Sequence, residues 1–164
     1  MRDIDRIVLF GPPGVGKSTI GKLLSSYGYY YFDGDAHSLP EGIELNKQGK
    51  GMTSEMRDRD YAHISQSFIE ETKREGSGRI VIDYHYMFDR YRLKLRQELP
   101  DLRWIYLTAA FEELAGRFDR PGHLLSDLGF IKTIFDMFEE PSFQVARISA
   151  LQPVEEVVRQ VLDF

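Results

Sequence analysis

The chain has 164 residues, no cysteine and a formal net charge of −5, with 42% hydrophobic and 29% charged residues. That length and balance fit one domain with a core of its own. The absence of cysteine excludes disulfides and cysteine-ligated metals, the acidic balance argues against nucleic acid as the main partner, and the charged start and lack of a long apolar run point to a cytoplasmic protein, monomer or homodimer, with no membrane partner.

In chain order, strand-like and helical runs alternate. A first strand over about Ile4–Phe10 leads into Gly11-Pro12-Pro13-Gly14-Val15-Gly16-Lys17-Ser18, and a helix over about Lys17–Ser26 follows. Strand, glycine loop and helix in that order make a phosphate site: glycines let successive N–H groups point into one concavity, and the helix N-terminus behind it adds partial positive charge. In this pattern Lys17 reaches the β- and γ-phosphates and the Ser18 hydroxyl ligates Mg²⁺, with Gly11 to Thr19 as the nucleotide-binding segment.

Tyr29–Phe32 reads as a second strand ending at Asp33-Gly34-Asp35. The stretch from His37 to Thr53, with Pro40 and several glycines, reads as irregular. A helix over about Ser54–Glu75 follows, with Tyr61, Ile64 and Phe68 on one face. The third strand is Arg79–Asp83, then a helix over about Tyr86–Glu98, a strand over Leu102–Leu107 and a short helix over Phe111–Arg117. A loop spans Asp119–Ser126, a helix Asp127–Phe138, a strand Phe143–Ile148, and Pro153 opens the last helix. The pattern implies an α/β P-loop fold of the nucleoside monophosphate kinase-like kind. It would be one domain over residues 1–164, with a five-stranded parallel sheet flanked by helices and a short lid at about 117–127.

Ligands of such sheets sit at the carboxyl ends of the strands, where Asp33, Asp35 and Asp83 fall. Asp33 and Asp35 lie two apart, so on extended backbone they point the same way. One could hold a magnesium-bound water while the other takes the proton of an acceptor hydroxyl. Asp83 ends an apolar strand as a Walker-B-like aspartate would. Arg117 and Arg120 flank a glycine-containing loop and could close over ATP to spread transition-state charge. Tyr84 and His85, next to a strand end, could line the acceptor pocket.

The chain resembles bacterial-type gluconate kinases, relatives of shikimate kinase. Asp33-Gly34-Asp35 followed by Pro40, Ile43-Glu44, Gly49, Thr53, Glu55 and Arg57 is similar to the family's acceptor segment, here about 34–60. Tyr91-Arg92, Leu95-Arg96 and Leu102–Leu107 resemble its next helix and strand. Arg120-Pro121-Gly122-His123 resembles its lid motif, and Glu139-Glu140-Pro141 with Gln152–Val158 its C-terminal third. The resemblance implies ATP and Mg²⁺ at Lys17 and Ser18, Asp33 by the metal, and Asp35 as acceptor-side base. It also implies Arg57 gripping an anionic acceptor, with His37 and His123 as further substrate contacts. A carboxylate suits a bidentate arginine, so a sugar acid is a chemically sensible acceptor. Phe88 stands where the family has a lysine, Leu124-Leu125-Ser126 replaces a Phe-Met-Pro lid sequence, and Arg117 and His37 are each one position off the family spacing. The resemblance therefore implies the reaction more strongly than the acceptor. A nucleoside or nucleoside monophosphate kinase, and a nucleotide-binding switch without a small acceptor, remain alternatives.

Overall fold

Ile7, Val8, Leu9 and Phe10 are all fully buried, so β1 (Asp5–Phe10) has no water-facing side over most of its length. Such a strand belongs in the middle of a parallel sheet covered on both faces. The computed structural model of the chain, which describes residues 4–75, 78–118 and 128–164, places it there. β2 (Tyr30–Asp33), β3 (Arg79–Asp83), β4 (Leu102–Thr108) and β5 (Ala146–Ser149) complete a five-stranded sheet in the order β2-β3-β1-β4-β5. Every pairing is parallel. The expected fold class is thus the observed one.

Alternate residues of β1 feed two cores. Ile7 and Leu9 pack with Ile20 and Leu24 of α1 (Lys17–Leu24) and with Val157, Val158 and Val161 of α7 (Val154–Asp163). Val8 and Phe10 pack with Tyr61, Ile64 and Phe68 of α3 (Ser54–Glu75) and with Tyr91 and Leu95 of α4 (Asp89–Glu98). The chain therefore leaves β1 for one face of the sheet and leaves its neighbour β3 for the other. This divergence opens a crevice at the carboxyl ends of those two strands. The register levels them: Asp83 is opposite both Leu9 and Asp33. Gly34 N–H donates to the Asp83 carbonyl at 2.9 Å, and Tyr84 N–H donates to the Leu9 carbonyl at 3.1 Å.

The last strand begins at Ala146 rather than Phe143, and two other stretches differ from the sequence expectation. Residues 37–53 are not wholly irregular, because α2 (Pro40–Lys47) lies within them. Pro40 occupies the first helical turn, where its fixed φ starts a helix and its missing N–H costs nothing. The helix after β3 begins at Asp89 rather than Tyr86, because Tyr86 has φ +40. A bulky residue in that region carries strain of roughly 1–3 kcal/mol and must be held by its surroundings. Its ring is fully buried against Tyr61 and Trp104, and its hydroxyl pairs with Ser65 Oγ at 3.1 Å. Its carbonyl accepts from Arg92 Nη1 at 3.1 Å. Arg92 is itself 0% exposed. It pairs with Asp89 at 3.0 Å, donates to the Glu139 carbonyl at 2.8 Å, and lies over the rings of Phe10 and Phe138.

The remaining described helices are α5 (Phe111–Leu114), continued by a tight turn through Arg117, and α6 (Leu128–Met137). Among the described residues no helix is long and apolar enough to cross a membrane.

Removing one partner of a buried ion pair leaves the other uncompensated, which costs about 3–5 kcal/mol in well-buried cases. Arg92→Leu should lower the unfolding free energy by about 3 kcal/mol in urea titration at neutral pH. A loss below about 1 kcal/mol would show that the Tyr86 turn is held by other contacts.

Candidate active site

The loop between β1 and α1 hands over to the helix at Gly16, whose φ of +90 is in the region that favours glycine. From there Lys17 turns back over the loop. Its Nζ donates to the carbonyl oxygens of Gly11 and Pro12, both at 2.9 Å. These two residues act through their backbone. Pro13, Gly14, Val15, Gly16, Lys17, Ser18 and Thr19 line a cavity of about 1110 Å³. Arg117 borders the same cavity and is tied to the loop, donating to the Gly14 carbonyl at 2.9 Å and the Ala150 carbonyl at 3.3 Å.

Three carboxylates share the cavity with Lys17, and two of them, Asp35 and Asp83, act on its amine. Asp33, Asp35 and Asp83 all border the cavity. Burial holds the Lys17 amine below its ordinary range, while Asp35 and Asp83 pull it back up. Asp35 opens into the cavity but is ringed by protein, and that surround raises its carboxyl; Lys17 opposes the rise, and Asp33 and Asp60 add to it. Asp83 is pushed up to about 6, by burial first, against the pull of Lys17 and with Asp33 and Asp35 adding. Burial also raises the Tyr31 phenol, with Asp83 and Asp33 adding, so it stays protonated.

The far end of the cavity carries Arg57, Tyr61, Tyr84, His85 and Met87. Arg57 donates to the Met52 carbonyl at 3.3 Å and lies 4.7 Å over the ring of Phe88. The phenylalanine that departs from the family lysine thus serves as a floor for the guanidinium. His85 is pushed down to about 3 by burial, with Lys17 and Arg57 adding, so its imidazole is neutral at any working pH. Tyr84 donates to Asp60 at 3.1 Å, and burial first keeps its phenol well above the ordinary range.

Asp60, absent from the sequence reading, organises this end. It is 1% exposed and accepts from Ser38 Oγ at 2.8 and 2.9 Å, Leu39 N–H at 2.6 Å and Tyr84. It ties the segment after Asp35 to the segment after β3. A signal existed: Asp60 follows Arg57 by three on the α3 face that carries Ile64, and a carboxylate on an apolar face needs buried donors. His37 is not brought to the cavity; it stacks on Phe32 at 4.0 Å, and its Nδ1 is 2.9 Å from the Asp33 carbonyl. Arg120 and His123 lie outside the described residues.

The donor set suits magnesium. Among the described residues no three His, Asp or Glu side chains form a metal cage. Magnesium needs none, because it keeps waters and binds through one or two carboxylates plus phosphates. Buried Asp83 also leaves Oδ1 without a hydrogen-bond partner. A phosphate-binding loop, a lysine and strand-end carboxylates on a parallel sheet define a P-loop domain.

The comparisons agree. A family model described as an AAA domain matches residues 7–123, and the chain belongs to that family of P-loop domains. Its fold is that of the P-loop kinases, and the resemblance to gluconate kinases is borne out. A gluconokinase from Sinorhizobium meliloti 1021 superposes with a TM-score of 0.83 at 27% identity, covering 99% of this chain and 92% of that one. A sugar kinase from Janibacter sp. HTCC2649 gives 0.82 at 24% identity, covering 97% and 92%. A deoxyadenosine kinase from M. mycoides gives 0.67 at 18%, covering 96% and 97%, and shows the shared fold alone. No curated protein gives a significant match by sequence.

An acid raised by the fold favours the fold when protonated; for Asp83 that contribution is full below about pH 4 and lost as pH rises through about 6. Asp83→Asn should therefore stabilise the ligand-free protein by about 1–3 kcal/mol at pH 7.5, with the gain vanishing near pH 4. Thermal or urea unfolding across that range tests it. A pH-independent difference would contradict the assigned cause.

Proposed function

We propose that the chain is an ATP-dependent kinase that transfers the γ-phosphoryl group to a hydroxyl of a small anionic metabolite of the sugar-acid type, working in the cytoplasm where ATP is supplied. One observation carries the reading: Lys17, Asp35 and Arg57 face a single cavity beneath the glycine loop. The gluconokinase and sugar kinase neighbours support it.

The nucleotide's phosphates would lie against the loop's N–H groups and Lys17, with Arg117 at the same end. An arriving polyanion relieves the desolvated ammonium and draws Lys17 off its carbonyl contacts. Arg57, flat on Phe88, would take the acceptor's carboxylate in a planar pairing. The acceptor hydroxyl oxygen attacks the γ-phosphorus, the bond to the β–γ bridging oxygen breaks, and ADP leaves. Asp35 accepts the hydroxyl proton; its raised carboxyl makes it a better base than an ordinary aspartate. Mg²⁺, held by Ser18 and through water by Asp33, would neutralise charge on the β- and γ-phosphates. His85, neutral beside Arg57, can hydrogen-bond the acceptor without repelling the arginine. Lid residues Arg120 and His123 would complete the closure over the substrates.

A nucleoside or nucleotide acceptor is the second reading, favoured by Tyr61 and Tyr84 in the cavity wall. Their rings already pack edge-on against one another at 5.1 Å, which leaves less face for a base.

The test is ADP release with ATP and Mg²⁺ against sugar acids, shikimate, nucleosides and nucleoside monophosphates. Stimulation by the hydroxy acids is expected; stimulation by nucleosides or nucleotides alone would transfer the reading to the second class, and none at all would favour a nucleotide-binding switch. Asp35→Asn should cut kcat by about 10²–10⁴ with near-intact ATP binding, and normal turnover would remove Asp35 as the base. Arg57→Ala should raise the acceptor KM at least tenfold with little change in the ATP KM. Equal effects on both substrates would contradict the assigned contact.

A further inference from the structure

A carboxylate buried on the inner face of α3 is a costly choice for a helix that packs on the sheet. Asp60 occupies such a place, next to Tyr61 and one turn before Ile64, both core residues. Its partners among the described residues are two hydroxyls and one backbone N–H, with no cation. A carboxylate only accepts, so one side chain satisfies donors that an apolar residue would leave orphaned. What Asp60 supplies is therefore a fixed meeting point for Ser38, Leu39 and Tyr84.

Those three residues belong to separate pieces of chain around the cavity. Ser38 and Leu39 follow the tight turn Asp35–His37. Ser38 N–H donates to the Asp35 carbonyl at 3.2 Å, so the clamped residue is itself bonded to the one that carries the proposed base. Leu39 is where α2 starts, and its carbonyl accepts from Gly42 N–H at 2.9 Å. A Cβ at Gly42 would lie 3.1 Å from Ser38 Oγ and 3.6 Å from Asp60 Oδ1, so the first turn of α2 closes on the clamp. Tyr84 directly follows β3 and sits against Gly34, where a Cβ would come within 2.8 Å of Tyr84 Cβ. Asp35, Ser38, Tyr84 and His85 border the cavity, whereas Asp60 is not among the residues that line it.

We propose that Asp60 is a positioning residue for phosphoryl transfer: by holding Ser38, Leu39 and Tyr84 at once, it sets where Asp35 stands relative to the acceptor hydroxyl without itself touching a substrate. The inference rests on the proposed function, and within it on Asp35 as the base. A misplacement of about 1 Å at a reacting group can cost about 10²-fold in rate, which is the scale on which such a clamp acts. The buried charge is then retained for geometry rather than for stability.

The test measures acceptor-dependent turnover and ATP KM in Asp60→Ala and Asp60→Asn, each alone and combined with Asp35→Asn. Asp60→Ala should lower kcat about 10–100-fold with the ATP KM within about twofold of wild type. Asp60→Asn keeps the shape: its amide oxygen accepts from Leu39 and Ser38 and its amide nitrogen donates to the Tyr84 oxygen, so kcat should return to within about threefold. In the Asp35→Asn background, Asp60→Ala should cost less than about threefold more, because a residue acting through Asp35 has nothing left to position. Ser38→Ala withdraws one donor and leaves the buried site filled, so it serves even where Asp60→Ala does not fold; it should lower kcat about threefold to tenfold. Wild-type kcat in folded Asp60→Ala or in Ser38→Ala would overturn the proposal. So would an equal loss in both Asp35 backgrounds, or a matching loss of ATP affinity, each of which indicates a merely structural role. Wild-type protein that shows no acceptor-dependent ADP release would overturn the kinase reading first and this inference with it.

Discussion

The site depends on one ammonium group serving more carboxylates than it can pair. Lys17 is enclosed by protein at the end of β1, where burial weakens its hold on a proton and Asp35 and Asp83 strengthen it. The carboxylates bear the matching cost, since Asp83 and Asp35 are both raised by burial first, against the pull of Lys17, and further by Asp33. Such an arrangement is destabilising in the free protein and is relieved by ligands that bring phosphate to the lysine and a cation to the acids. The parallel sheet imposes this crowding. Asp33 and Asp83 are opposite one another in the β2–β3 ladder and share a cavity with the loop after β1.

The part of the cavity lined by His85 and Met87 follows from a second constraint, the backbone at Tyr86. A left-handed residue three positions after β3 stops the chain from continuing as strand or helix. His85 and Met87 on either side of it border the cavity. The strain is sustained by Arg92, which reaches the Tyr86 carbonyl from within the core. Met87 is further fixed, its N–H on the Tyr61 hydroxyl at 3.1 Å and its carbonyl accepting from Glu139 N–H at 2.9 Å. This segment is among those that depart from the gluconate kinases the chain resembles. Phe88 lies under Arg57 and sets how the guanidinium is presented.

What was legible in the sequence is local. The glycine loop, the alternation of apolar strands with helices, and the aspartates at strand ends depend on near neighbours and on periodicity, and they point to the edge of the sheet where the cavity lies. What was not legible depends on distant partners. Pro40 reads as a break until its position in the first turn of α2 is known. Asp60 looks like one charge among many on a helix until Ser38, Leu39 and Tyr84 are seen to converge on it. Gly21 reads as a weak point in α1 until Tyr31 fills its space. His37 could be assigned to the site by its distance from Asp35 in sequence, but the ring of Phe32 draws it away.

The central claim is that the lysine–carboxylate cluster passes a phosphoryl group to a hydroxyl rather than to water. The most direct measurement is ³¹P nuclear magnetic resonance of the γ-phosphate during turnover with Mg²⁺ and a hydroxy-acid acceptor. The account predicts that the γ resonance of ATP is replaced by a phosphomonoester resonance in step with ADP. If the γ-phosphate appears only as inorganic phosphate, at a rate indifferent to the acceptor, the cluster activates water and the account is contradicted.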